Sequence, residues 1–432
     1  MSKPAPVVIV GDGIAGLAAA FGARSRGQAV QVLSRGNAGS TMYSGALDYG
    51  QSTRRDNLDG AADTIEPMRA SFISELGLWK TASDAVHVAS MWGVIRPSIG
   101  CDKRLLDLSV LRDACVIVPA VNRRDWDAGR LASQWSCHAQ APAHRISFEP
   151  VEATLFRDPS MADASDADVA CAIDREDDYE YFKHGLREAL NRAGRADAVL
   201  VGPWLGLRSN AADRLTCELG IAVGETLTLL GGSAGARFEL AAQALLAKLD
   251  VETKCCDVKQ VEATDDGWIA MVASLDDPAG ELEKVRGSAL VLACGGFVSG
   301  GLQLASCHGS GVVDGERRTA FSLSLSAPVE LSVAGPIAAP IAGQVSSPFG
   351  LAGERFAWPE TLSQRALVDK VRACHVNGQA VSGAMEVVDG LYVAGSMMTN
   401  AIATMWRSMT SGLAVGFAAG FAAGQAAAPR TP

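Results

Sequence analysis

Apolar residues fall in short unbroken runs near the two ends of the chain and in mixed patterns between them. Val7 to Val10 are four consecutive β-branched residues, which predicts a strand buried on both faces. Gly11-Asp12-Gly13-Ile14-Ala15-Gly16 follows. An alanine-rich stretch from Leu17 to about Ser25 then predicts a helix closed by Gly27. Ala29 to Leu33 predicts a second buried strand. Far along the chain, Ala289 to Ala293 predicts another, running into Cys294-Gly295-Gly296-Phe297. Gly390-Leu391-Tyr392-Val393-Ala394-Gly395-Ser396 predicts a further strand, leading to a helix that starts near Ser411-Gly412-Leu413. From Val251 to Val272 alternating segments predict antiparallel strands with a turn at Asp265-Asp266-Gly267. The acidic, alanine-containing stretch from Asp163 to Asp178 predicts a solvated loop or insertion. Residues 301–384 carry Pro328, Pro336, Pro340, Pro348 and Pro359, and predict part of a second domain or interface layer. No internal repeat is visible.

Strand, glycine turn, helix, strand is the context that turns a six-letter glycine pattern into a dinucleotide fingerprint. Gly11 permits the tight turn, Gly13 lets the backbone approach a pyrophosphate, and Gly16 lets the helix pack close to the strand. Ile14 and Ala15 sit at the helix N-terminus, whose N–H groups and positive dipole end face the phosphates. The end of the second strand usually carries an acid that grips the ribose. Here that place falls at Ser34, followed by Arg35. Serine is neutral, so its grip is weaker. Arg35 either contacts the adenine or a phosphate or is a solvated surface residue. A strand returning near the C-terminus with a closing helix is the layout of FAD domains, with the flavin at that helix's N-terminus. NAD-only domains do not end this way.

The expected fold is α/β: a Rossmann-like FAD-binding domain of the glutathione-reductase type with an inserted second substrate or interface domain. Residues 1–98, 215–300 and 385–432 are expected to form the discontinuous FAD-binding domain, and 99–214 with 301–384 the second. FAD is favoured over FMN because a pyrophosphate is what the turn is shaped to hold. Besides Gly11, Gly13, Ile14, Ala15, Gly16, Ser34 and Arg35, the expected cofactor contacts are Gly295, Gly296, Gly395, Ser396, Gly412 and Leu413.

Composition narrows the partners. A chain of 432 residues suggests two or three domains at about 150 residues each. The net charge of −10 argues against nucleic acid or an anionic membrane, both of which are held by basic patches. Ten cysteines are scattered with no two-residue gap of a zinc, iron–sulfur or dithiol motif, so free thiols in a reducing compartment and no metal are expected. The tail from Gly412 to Ala428 is shorter than the ~20 residues that cross a bilayer. It predicts a tightly packed terminal helix. No signal-peptide pattern precedes the first strand, so the expected location is cytoplasmic, at a membrane only through partners.

Several strings together resemble the B-type flavoprotein component of the anaerobic glycerol-3-phosphate dehydrogenase. They are Ser44-Gly45-Ala46-Leu47-Asp48, Gly93-Val94-Ile95-Arg96-Pro97-Ser98, and Gly224-Glu225-Thr226-Leu227-Thr228 leading to Gly235-Ala236-Arg237. Gly295-Gly296-Phe297-Val298-Ser299-Gly300-Gly301-Leu302 and Pro348-Phe349-Gly350 complete the set. The Ala293-to-Phe297 turn is also similar to the wider fumarate reductase and ketosteroid dehydrogenase group. After Gly395 this chain departs from the pattern, with Ser396-Met397-Met398-Thr399-Asn400 and then Met405-Trp406-Arg407.

The resemblance implies a flavoprotein of a multi-subunit, quinone-linked dehydrogenase that oxidises glycerol 3-phosphate or a similar hydroxy compound. Its partners would be a second flavoprotein subunit and an iron–sulfur subunit that contacts the membrane. It adds Ser44 and Gly45 to the cofactor contacts. The alternatives are a flavin subunit that only relays electrons or scaffolds the complex, and a stand-alone dehydrogenase or reductase of the wider group.

Oxidising a secondary alcohol requires a base for the hydroxyl proton. His308 and His375 fall in segments expected near the flavin, with a structural histidine as the alternative for each. An anionic substrate requires arginine, which holds oxyanions through two parallel hydrogen bonds. Arg96, Arg237 and Arg407 sit in or near the strings. Arg407 is the first choice because it precedes the helix expected to point at the flavin. Tyr43 and Met42 are candidates to lie against the isoalloxazine or to pack in the core. No serine elbow, zinc-binding histidine pair or phosphate loop ending in Gly-Lys-Ser/Thr is present.

Overall fold

A computed structural model describes residues 5–36, 38–48, 62–229, 231–295, 302–313, 316–325, 331–333, 356–358, 374–376, 379–380, 386–388, 390–395 and 405–427. The chain divides into two compact units. One contains residues 1–40, 52–72 and 244–432, and the other residues 41–51 and 73–243. The sequence pattern groups 73–98 and 215–243 with the dinucleotide domain; these residues belong to the second unit.

The first unit is built on an eight-stranded sheet. Its centre is β1 (Val7–Val10), β2 (Val30–Ser34), β10 (Glu252–Thr264), β13 (Ala289–Leu292) and β21 (Leu391–Val393), all parallel, in the spatial order β10-β2-β1-β13-β21. Taken in chain order, this is the 3-2-1-4-5 arrangement of a doubly wound sheet. Strand order reverses its progression at β1, so the crevice for a ligand opens where β1 and β13 end. Strands β1 and β13 are continuous apolar runs, buried along their whole length, because layers cover both their faces.

Strands β11 (Gly267–Ser274) and β12 (Glu283–Gly287) extend one edge antiparallel, and β20 (Glu386–Val388) the other. The hairpin pairs Thr264 with Gly267 across Asp265 and Asp266, the turn the sequence predicts. The remaining described strands of this unit form two three-stranded sheets. One holds β14 (Leu302–Val313), β15 (Glu316–Leu325) and β17 (Phe356–Trp358); the other holds β16 (Leu331–Val333), β18 (Cys374–Val376) and β19 (Gln379–Ala380).

Helix α1 (Ile14–Arg24) packs along α9 (Met405–Ala427) through small residues. A Cβ added at Gly412 or Gly416 would collide with the backbone carbonyl of Ala15 or Ala19 respectively. Four residues separate the two glycines, so both lie on one face of α9 and the helix axes approach closely. Phe72, on α2 (Ala62–Leu76), meets Phe21 of α1 edge-to-face at 5.4 Å.

The second unit holds an antiparallel sheet of β3 (Ala46–Asp48), β5 (Ile95–Asp102) and β4 (Trp79–Ala89), in that order. Beside it is a parallel sheet of β6 (Cys115–Ala120), β7 (Ser147–Glu152), β8 (Ala198–Val201) and β9 (Ala222–Glu225), in the order β7-β6-β8-β9. Its core contains Trp126, Trp135, Trp204, Phe148 and Phe182.

Helices α3 (Ala128–Cys137), α4 (Gln140–His144), α5 (Asp166–Ile173), α6 (Glu176–Arg192) and α7 (Ala211–Leu219) belong to this unit, and α8 (Ser233–Lys248) begins in it. The stretch from Asp163 to Asp178, expected as a loop, is mostly helical. Ser165 Oγ caps α5 by accepting from the Asp168 N–H at 3.1 Å. Glu176, Asp177 and Asp178 occupy the first turn of α6. Acids there complement the helix dipole, so the charge run marks helix starts rather than a solvated loop.

Candidate functional site

The turn after β1 is shaped by three glycines. Gly11 has φ +109°, its N–H donates to the Leu33 carbonyl at 2.7 Å, and a Cβ on it would strike the Ala293 carbonyl at the end of β13. A Cβ on Gly16 would strike the Gly11 carbonyl, which is why α1 can start directly against the strand. Gly13 stands before the first helical residue with no side-chain cap, and the first turn of α1 contains no acid. Beyond the Ile14 N–H, the helix end therefore offers backbone N–H groups and a positive dipole that no acid offsets, a cradle that fits a pyrophosphate. FAD would be held here by Gly11, Gly13, Ile14, Ala15 and Gly16.

Ser40 is a residue that sequence reasoning misses. Its hydroxyl accepts from the Ile14 N–H at 2.9 Å and lies 3.3 Å from where a Gly13 Cβ would be. Only the return of the chain after β2 brings it to the helix end, and nothing local signals that.

At the end of β2, Ser34 is buried and its hydroxyl accepts from the Gly36 N–H at 2.9 Å. Arg35 Nε donates to Asp257 Oδ1 at 2.7 Å, so β10 holds the guanidinium. Cys294, just past β13, is pushed up to about 12 by burial and keeps its proton. Gly295 and Gly395 both have positive φ, +78° and +80°. The Gly395 N–H donates to Ser411 Oγ at 3.0 Å, which brings the strand-end turn after β21 to α9.

Helix α9 starts at Met405, six residues before the predicted start, so Gly412 and Leu413 lie in its third turn. Both are buried there, and Gly412 packs on Ala15 rather than heading the helix. Arg407 stands in the first turn of α9 instead, His308 lies on β14 and His375 on β18. Gly296 and Ser396 lie outside the described residues.

In the second unit, Ser44 and Gly45 precede β3. Gly45 has φ +108°, and its carbonyl accepts from the Asp102 N–H at 2.7 Å and the Tyr43 hydroxyl at 2.6 Å. Tyr43 is a core residue, edge-to-face with Trp79, and burial raises its phenol well above the ordinary value. Met42 is exposed. Arg96 Nη2 donates to Ser44 Oγ at 3.3 Å, joining two of the strings that carry the family resemblance.

Arg237, from another of those strings, serves the core. It is 1% exposed, with Nη2 donating to Glu225 Oε2 at 2.9 Å, Nη1 paired with Glu225 Oε1 and with Asp102 at 3.4 Å, and Nε donating to the Gly206 carbonyl at 2.7 Å. Burial works against its charge, but the Glu225 and Asp102 carboxylates hold its pKa above the ordinary value. With its donors so engaged, Arg237 is a structural cation rather than a substrate ligand. Among the described residues no group of three or more His, Cys, Asp or Glu side chains is placed to hold a metal, and no helix is long and apolar enough to cross a membrane.

Sheet order and glycine turn together define the class. Residues 6–90 match the FAD binding domain, so the first unit's glycine cradle belongs to a protein that binds FAD. No curated protein matches the chain. Among solved structures it is similar to the anhydrotetracycline hydroxylase OxyS from Streptomyces rimosus, with 11% identity and TM-score 0.32, covering 97% of this chain and 62% of that one. It is also similar to the glycine oxidase from Geobacillus kaustophilus (13% identity, TM-score 0.31, 97% and 93% coverage). The amino acid oxidase NikD, essential for nikkomycin biosynthesis, matches at 12% identity and TM-score 0.34, with 100% and 96% coverage. The chain thus spans about three fifths of that hydroxylase's length.

Proposed function

We propose that this protein is the FAD subunit of a dehydrogenase that oxidises a small anionic hydroxy compound of the glycerol 3-phosphate type. Bound FAD supplies the two-electron acceptor. The observation that carries the substrate reading is the Arg96–Ser44 hydrogen bond. It brings a fixed cation to the Ser44-Gly45 turn, and a guanidinium is suited to orient an oxyanion. Arg407, His308 and His375 are the proposed catalytic residues: the arginine to hold substrate charge, a histidine to take the hydroxyl proton. Electrons would leave through a second flavoprotein and an iron–sulfur subunit toward quinone, with the membrane reached through those partners.

The test is an anaerobic absorbance titration of the FAD-loaded protein with glycerol 3-phosphate. Bleaching of the flavin band is expected. A band that stays oxidised both alone and with the partner subunits present overturns the substrate; reduction only through the partners makes this chain a relay. Reoxidation of reduced protein by fumarate or an enone would instead favour a stand-alone enzyme.

A further inference from the structure

A second strand–glycine turn–helix arrangement, separate in sequence from the dinucleotide fingerprint, lies in the second unit of the chain. Strand β9 ends at Glu225 at one edge of the parallel sheet, and beyond it Leu227 makes an isolated parallel bridge with Ser90. The Thr226 N–H donates to the Val201 carbonyl at 3.0 Å, Leu227 to Ala89 at 2.8 Å and Thr228 to Ser44 at 2.9 Å. Gly231, with φ +74°, and Gly232 then lead into α8, which runs for sixteen residues with no acid in its first turn. Gly232, the residue before the helix, has no side chain with which to cap it, and its own N–H goes to the Leu229 carbonyl at 3.0 Å. The carboxyl end of a parallel strand facing a helix N-terminus is where α/β sheets hold anions.

An independent observation points into this turn. Thr228 is 5% exposed, and its hydroxyl is buried with no hydrogen-bond partner. That oxygen lies 3.4 Å from the place a Cβ on Gly232 would take, so it is aimed at the helix start. Thr226, two residues back, has a second fully buried hydroxyl without a partner. Leaving two hydroxyls unsatisfied costs free energy that folding alone has no reason to spend. Arg96 is adjacent through Ser44, whose hydroxyl it meets while the Ser44 carbonyl meets Thr228.

We propose that Thr228, Gly232 and the first residues of α8 form an oxyanion subsite that takes the phosphate or carboxylate end of the substrate. This deepens the reading above and rests on it for the identity of that substrate. The hydroxyl of Thr228 donates to the anion, the first-turn N–H groups and helix dipole complete the shell, and Gly231, where an added Cβ would meet nothing within 4 Å, leaves open space beside the turn.

Calorimetric titration of the FAD-loaded full chain with inorganic phosphate at constant ionic strength tests this. Saturable one-to-one binding that chloride does not displace is expected. Thr228→Val should weaken it by about tenfold, the loss of one hydrogen bond to a charged group. Thr228→Ser, which restores the hydroxyl, should recover it, and Gly232→Asp should abolish it. Equal melting temperatures for Thr228→Val and the parent protein exclude misfolding as the cause. The inference is overturned by absent phosphate binding, or by binding that Thr228→Val leaves unchanged. Flavin bleaching is read separately: phosphate binding with no bleaching by glycerol 3-phosphate sinks the substrate reading and leaves the subsite standing.

Discussion

Asp166 shows what a single buried carboxyl can contribute. Its Oδ1 accepts from the Trp204 indole N–H at 2.9 Å and lies 3.4 Å from Arg123 Nη2. Burial pushes it up to about 6, against the opposing pull of the Trp204 hydrogen bond and the Arg123 charge. The folded chain therefore holds the proton more tightly than the unfolded one. That contribution is whole below the ordinary carboxyl value of 3.8 and is lost as pH rises through 6. Asp166→Asn keeps an oxygen for Trp204 and removes the titration. Urea melts should show the variant gaining up to about 3 kcal/mol over the parent at pH 7.5, and much less at pH 4.5. A constant difference across that range would show that the carboxyl does not titrate there.

Gly16 is the other decisive position at this scale. Its missing Cβ lets α1 meet the Gly11 carbonyl, so Gly16→Val should abolish FAD retention on gel filtration while unit-two tryptophan fluorescence stays native. Glycine roles of this kind are legible in the sequence because flanking periodicity fixes the turn. The role of Arg237 is not. Its partners Glu225 and Asp102 are 12 and 135 residues away, and a motif string looks the same whether its arginine faces a ligand or an internal carboxylate.

Elements are read best where one local pattern decides them. The β1–α1–β2 unit and the β10–β11 hairpin follow from apolar runs, glycines and a two-residue turn, all within about 30 residues. The acidic segment misleads because Asp and Glu favour both solvated loops and helix starts. Spacing from Ser165, not charge, separates the two. Ser165→Ala should therefore lower stability by about 1 kcal/mol in denaturant melts, with the helical circular dichroism retained.

The start of α9 is placed late by the sequence pattern because its small residues resemble a glycine-rich helix opening. They are instead the packing face. Gly416→Leu would force a side chain into the Ala19 carbonyl. About 1–3 kcal/mol of destabilisation, with weaker FAD retention, is the expected result. Gly424, whose nearest neighbour to an added Cβ is the end of the flexible Gln28 side chain at 3.1 Å, should accept alanine with little change in either.

For the whole molecule, the division into two units has a thermodynamic consequence. The glycine cradle lies entirely in the first unit, as do Ser40 and the Ser411 contact to Gly395. The aromatic core of Trp126, Trp135 and Trp204 lies entirely in the second. Ligand that binds only the folded first unit stabilises that unit by mass action, about 2.7 kcal/mol at a hundredfold excess of FAD over its Kd. For a unit of this size that amounts to roughly 5–10 °C in melting temperature. The second unit contains no part of the cradle; of the expected cofactor contacts it holds Ser44 and Gly45 alone, so its transition should respond to FAD less than the first unit's does.

Tryptophan emission separates the two signals, since five of the chain's eight tryptophans (79, 92, 126, 135 and 204) belong to the second unit. Calorimetry of apoprotein and FAD-loaded protein should resolve two transitions, and the one without the main tryptophan change should move further with FAD. If FAD shifts both transitions equally, the units unfold as one cooperative body. Cofactor loading would then stabilise the candidate oxyanion turn at the start of α8 together with the dinucleotide domain. Two separate transitions would mean that this turn folds on the second unit's own core, whether or not FAD is bound.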